Sequence, residues 1–198
     1  MGRYTVAITG ASGSVYGMRV VERLLASGHE VALVMTPAGQ EVTAYELELD
    51  LPAEEPGRAL LRYLELPLDA PLRIACCGDL FDPLVSGSHL TDAMIVVPAS
   101  MGFCASVANG LASNLAERAA DVVLKERRPL VMVPRETPLS LVHLRNLTAL
   151  AEAGAIIAPA MPAFYHHPQT LDDQVNFVVG KVLDVLGIEH DLFPRWGA

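Results

Sequence analysis

Short apolar runs alternate along this chain with longer stretches in which apolar residues recur every three to four positions. The runs Tyr4–Thr9, Glu30–Met35, Leu72–Cys76, Met94–Val97, Leu130–Val133 and Ala155–Ile157 have little polar interruption, which predicts strands buried on both faces. Between and after them the pattern predicts helices from about Gly13 to Ser27, from about Ala38, over 53–66, over Ser106–Asn109, over Leu115–Glu126, over Leu139–Ala153 and over Asp172–Leu186. Strands alternating with helices predict an α/β fold, a doubly wound parallel sheet with helices on both faces. No repeat, low-complexity segment or linker interrupts the pattern, so a single domain over 1–198 is expected.

Composition narrows the class. Of 198 residues, 52% are hydrophobic and only 19% charged, which suggests apolar area buried between copies of the chain and hence a homo-oligomer. A net charge of −9 argues against nucleic-acid binding, which rests on neutralising phosphates. Ala93 to Ala116 carries no charge, but Pro98, Gly102 and Gly110 break it up. It reads as a buried strand and a small-residue helix, not a membrane span. The opening MGRYTVAITGASG enters a strand with no cleavage signal, and three cysteines form neither a disulfide framework nor a zinc spacing. A cytoplasmic location is expected.

In a doubly wound sheet, ligands sit beyond the carboxyl ends of the strands, where helix N-termini favour phosphate. TGASGSVYG, Thr9 to Gly17, falls at that place after the first strand. Its glycines are spaced G-x-x-G-x-x-x-G, which is not the dinucleotide fingerprint, and a plain turn with packing glycines is the alternative. The second strand ends in Met35-Thr36-Pro37, without the acid that a nicotinamide cofactor's ribose requires. A mononucleotide such as FMN fits better. Ser100, Met101 and Gly102 form a second loop at the same rim, suited to a flavin edge or only to close helix packing. Cys104 beside it reads as a small core residue. Five of the 14 basic residues (Arg118, Lys125, Arg127, Arg128, Arg135) crowd into 18 positions, which suggests a small anionic ligand. Arg135-Glu136, held between Pro134 and Pro138, belongs to the same rim or is a surface ion pair. His143 reads as a capping or packing residue on its helix. His166-His167 lacks acids or cysteines at ligand spacing, so no metal is expected there.

Four segments carry a resemblance: GASGSVYG, ASNLAERAADVVLKERRPLVMVPRETPL, HLRNLTALAEAGAIIAPAMPAFYHHPQTLDD and VNFVVGKVLDVLGI followed by RW. Together they resemble the UbiX family of flavin prenyltransferases over nearly the whole chain. The resemblance implies a flavodoxin-like Rossmann fold, a dodecamer, and a metal-independent reaction. That reaction joins a dimethylallyl group from dimethylallyl phosphate to N5 and C6 of reduced FMN, and the prenylated FMN goes to a UbiD-type decarboxylase. It implies FMN contacts at Gly10, Ala11, Ser12, Thr36, Ser100, Met101, Gly102, Phe103 and Arg135. Prenyl-phosphate contacts are implied at Tyr165 and Lys181, with Arg118 and Lys125, and proton handling at Glu46 and Glu136, with Ser12 near the phosphate. Lys181 stands where the family pattern has Arg, which keeps the charge and loses the bidentate fork. An FMN-dependent cysteine decarboxylase of related fold and a non-catalytic flavin-binding subunit are the alternatives.

Overall fold

In the computed structural model, which describes residues 1–89 and 91–197, six strands form one sheet. They are β1 (Arg3–Ile8), β2 (Glu30–Met35), β3 (Leu72–Ala75), β4 (Ala93–Ala99), β5 (Leu130–Pro134) and β6 (Ile156–Ile157), in the order β3-β2-β1-β4-β5-β6. Every neighbouring pair is parallel. Seven α-helices connect and cover them: α1 (Ser14–Ala26), α2 (Pro37–Leu47), α3 (Pro56–Tyr63), α4 (Met101–Ala108), α5 (Leu115–Lys125), α6 (Leu141–Glu152) and α7 (Leu171–Val185). The α/β doubly wound fold expected from the pattern is the fold observed.

The unbroken apolar strands follow from two cores. Val6, Ile8, Leu33, Ile95, Val97, Val131 and Val133 pack on one face against α1, α3 and α7. Their alternates Ala7, Val34, Met94, Val96, Leu130 and Met132 pack on the other against α4, α5 and α6. Since strand side chains alternate between faces, a strand covered on both sides leaves few positions for a polar residue, and buried Thr5 in β1 meets the Thr91 hydroxyl at 3.2 Å.

Boundaries differ where caps decide them. The expected short helix over Ser106–Asn109 begins five residues earlier, at Met101, because the Ser100 hydroxyl accepts from the Phe103 amide at 3.2 Å and starts the helix. Ser100 to Gly102 is therefore a helix start as well as a loop. β4 continues past Pro98 to Ala99, with a shift in its pairing to β5 between Val96 and Ala99. His143 caps α6 reciprocally with Ser140, and Thr170 pairs with Asp173 in the same way at α7.

Candidate active site

The strand order reverses between β1 and β4, and their carboxyl ends flank the resulting crevice. Four loops are tied together there. The Thr9 hydroxyl donates to the Pro98 carbonyl at 2.8 Å and accepts from the Ser100 amide at 2.8 Å. The Thr36 amide donates to the Ile8 carbonyl at 3.0 Å. The Arg135 amide donates to the Ala99 carbonyl at 3.3 Å, and its Nε to the Ser12 carbonyl at 3.0 Å. Glycine permits the close approach: a Cβ on Gly10 would sit 2.7 Å from the Ala38 Cβ, and one on Gly39 would drive into the Ile8 carbonyl oxygen.

Three helices begin around this crevice. The Thr36 hydroxyl caps α2, accepting from the Gly39 amide at 3.1 Å, and Ser100 caps α4. At α1 the N-cap is Gly13, at a φ of 109°, which offers no side chain. Glu46, from α2, takes that role across space. Its carboxylate accepts from the Gly13 amide at 2.9 and 3.2 Å and from the Ser14 amide at 2.9 Å. Burial works to raise the Glu46 pKa, but hydrogen bonds from the Ser12 hydroxyl and these amides outweigh it and hold the carboxyl below its ordinary value. The helix start expected to receive a ligand's phosphate thus carries an internal carboxylate. Among the described residues, the amides of Gly10, Ala11 and Ser12 and the two Nη groups of Arg135 donate to no protein acceptor.

A cavity of about 470 Å³ opens beside these groups, lined by Ser12, Gly13, Tyr16, Glu46 and Arg135 and closed by Ala160 and the first turns of α7. Two lining residues carried no signal in the sequence. Tyr16 lies in the first turn of α1; burial raises its pKa and the Arg135 guanidinium opposes that rise. Gln174 keeps its buried Oε1 without a hydrogen-bond partner, an acceptor available to a bound donor. The free amides, the free Nη groups of Arg135 and the cavity fit a mononucleotide's phosphate and ring.

Of the candidate flavin contacts, Met101 and Phe103 bury their side chains in the second core, so only their backbone can face a ligand. Gly102 has open space where a Cβ would stand. Glu136 is exposed and accepts from the Thr137 amide at 3.0 Å, whereas Arg135 reaches the Ser12 carbonyl. The candidate prenyl-phosphate residues lie elsewhere in the chain. Tyr165 meets Trp196 edge-on at 5.1 Å. Lys181 lines a separate, largely apolar cavity of about 250 Å³ with Met161, Phe177 and Val185. Arg118 pairs with Asp121 at 2.6 Å and Lys125 with Glu126 at 2.5 Å, both at α5, which packs on the opposite face of the sheet from α1 and α7. Cys104 is fully buried, and burial pushes its thiol up to about 12, as suits a core residue. Among the described residues no three metal-binding side chains gather, and no helix is long and apolar enough to cross a membrane.

The comparisons with known proteins bear on this site. The flavoprotein family model matches residues 2–183. The flavin prenyltransferase UbiX of Halalkalibacterium halodurans is 47% identical over 99% of this chain and 94% of its own length. This chain belongs to the UbiX flavin prenyltransferase family. The crystal structure of AnUbiX (PadA1) in complex with FMN and dimethylallyl pyrophosphate superposes with a TM-score of 0.89 at 38% identity, covering 100% of this chain and 98% of that one. A dodecameric FMN-dependent UbiX-like decarboxylase from Escherichia coli O157:H7 gives 0.87 at 38% identity, covering 99% and 100%. The cysteine decarboxylase TvaF, at 20% identity and a TM-score of 0.60, shares the fold alone. In this chain the crevice at the strand ends is bordered by Gly10–Ser12, Ser100 and Arg135.

Proposed function

We propose that this chain transfers the dimethylallyl group of dimethylallyl phosphate to N5 and C6 of reduced FMN, releasing phosphate and yielding prenylated FMN. The observation that carries the reading is the set of uncommitted donors at the β1–β4 crevice, in a chain nearly half identical to a flavin prenyltransferase. Reduced FMN supplies the nucleophilic ring atoms. The amides of Gly10, Ala11 and Ser12, the start of α4 at Ser100 to Phe103, Thr36 and Arg135 hold it. Tyr165, Lys181, Arg118 and Lys125 grip the donor's phosphate, and their cations offset the negative charge that builds there as the C1–O bond breaks. Ser12, Glu46 and Glu136 handle protons, since closure at C6 must release one.

In a single chain these groups lie apart: the Ser12–Arg135 cavity, the smaller cavity that Lys181 lines, Tyr165 against Trp196, and α5. The reading therefore includes a site completed between subunits of a dodecamer. Exposed Leu141, Val142 and Leu144 on α6 and Leu111 beyond α4 support such an assembly, as does the dodecameric relative. The chain works as one domain over 1–198 in the cytoplasm, with a UbiD-type decarboxylase as consumer of its product. Anaerobic incubation of the purified protein with reduced FMN and, separately, dimethylallyl phosphate or pyrophosphate tests the reading. Mass spectrometry should show flavin heavier by one dimethylallyl unit with the monophosphate. Unmodified flavin with both donors would overturn it.

A further inference from the structure

Beyond α7 the chain turns back and packs on that helix. Gly180 makes the room: a Cβ there would stand 2.6 Å from the His190 ring and within 2.8 Å of the Phe193 ring. Phe193 is buried against Phe177, ring centroids 4.8 Å apart, and Trp196 reaches Tyr165. The polar anchor of this tail is Asp184. Its carboxylate accepts from Arg195 Nη1 at 2.6 and 2.7 Å and meets His190 Nε2 at 3.1 Å. The same carboxylate also accepts from Lys181 Nζ, at a longer 3.4 Å.

Two cations therefore share one carboxylate beside the Lys181 cavity. Arg195 spends only Nη1 on Asp184. Its Nη2 lies 3.3 Å from His190 Nε2, and among the described residues its Nε donates to nothing. The Arg195 guanidinium carbon lies over the Phe193 ring, 5.2 Å from its centroid. Arg195 thus adjoins Trp196, which touches Tyr165, and shares a partner with Lys181. Tyr165 and Lys181 are the two residues read as contacts to the prenyl phosphate. Lysine offers a phosphate a point charge, whereas arginine offers a planar pair of donors.

We propose that Arg195 is a further phosphate-binding residue for the allylic phosphate monoester. On this account it supplies the guanidinium fork that position 181 lacks, and Asp184 is the residue that positions it. The proposal rests on the prenyl-transfer reading of the site. Its test compares wild type, Arg195→Ala, Arg195→Lys and Arg195→Ala combined with Lys181→Arg, all as FMN-loaded oligomers. Two readouts are taken: calorimetric binding of dimethylallyl phosphate, and KM against kcat. The loss of charged hydrogen bonds predicts affinity for the donor lower by roughly 10–100-fold in Arg195→Ala, with FMN affinity unchanged. Adding Lys181→Arg should recover most of the loss, and Arg195→Lys should retain part of it. Wild-type donor affinity in Arg195→Ala overturns the proposal. So does a loss that Lys181→Arg fails to rescue while emission from Trp196, the chain's only tryptophan, shows the tail displaced, because Arg195 would then serve docking alone. Donor binding by wild type without any turnover would instead sink the transfer reading, and the binding series would still decide the role of Arg195.

Discussion

Replacing Glu46 by Gln keeps the side chain's size and removes its charge. The carboxylate meets the Gly13 and Ser14 amides at 2.9 Å, at a helix start whose own cap residue is glycine. An anion at a helix N-terminus contributes about 0.3–1 kcal/mol when exposed and up to about 2 when partly buried. Glu46 is exposed, so about 1 kcal/mol is the appropriate scale, or roughly 2–4 °C in Tm for a chain of this size. The sign with pH follows from the depressed folded pKa. The stabilisation is full above the ordinary carboxyl value of 4.5 and is lost as pH falls through the lower folded value. Thermal melts of wild type and Glu46→Gln should therefore differ by a few degrees at pH 7 and converge in acid. Equal melting at pH 7, or a gap that persists undiminished in acid, would refute the capping role.

Four further outcomes are expected. Glu136→Gln should leave FMN affinity intact and slow turnover by roughly 10²–10⁴-fold, the range for a lost general acid or base; Arg135→Ala should instead weaken FMN binding by roughly 10–100-fold, through lost charged hydrogen bonds, read by flavin titration. Gly17→Ala places a Cβ 2.5 Å from the Val97 carbonyl oxygen and 2.8 Å from the Ile8 side chain, so denaturant unfolding should show a loss of about 1–3 kcal/mol, the usual cost of overpacking. Asp184 is partly buried, which favours its neutral form, but Arg195 and His190 hold its pKa below the ordinary 3.8; Trp196 emission should stay constant down to that pH and shift only below it, while Asp184→Asn should show the shifted emission at pH 7.

The fold was legible because its strands are covered on both faces, so that Val6–Ile8, Ile95–Val97 and Leu130–Val133 read as continuous apolar runs. The start of α4 was less legible. Residues 101–105 are small or apolar and carry no helical periodicity, and only the Ser100 cap marks the boundary. At the site, the turn at Gly10–Ser12 and the missing acid after β2 were visible as local motifs. The Glu46 cap on α1 was not, because its partners lie more than 30 residues away in sequence and a carboxylate on a helix looks like any solvated acid. Gln174 and the Asp184–Arg195 anchor are of the same kind, contacts made by tertiary packing that leave no spacing to read. The placement of Arg118 and Lys125 on the opposite face of the sheet from α1 could not be seen in a basic run that adjoins Arg135 in sequence.

That separation leads to the account's central claim, that each chain holds part of a site completed by its neighbours. Subunit complementation tests it directly. Arg135→Ala and Lys181→Ala chains, differently tagged, are co-expressed, and assemblies carrying both tags are assayed for prenylated FMN. If flavin and donor phosphate are held by different subunits, mixed assemblies contain some sites with both residues intact, and activity should return well above that of either variant alone. If both residues serve the same chain's site, every site keeps one lesion, and mixed assemblies as inactive as the parents would contradict the claim.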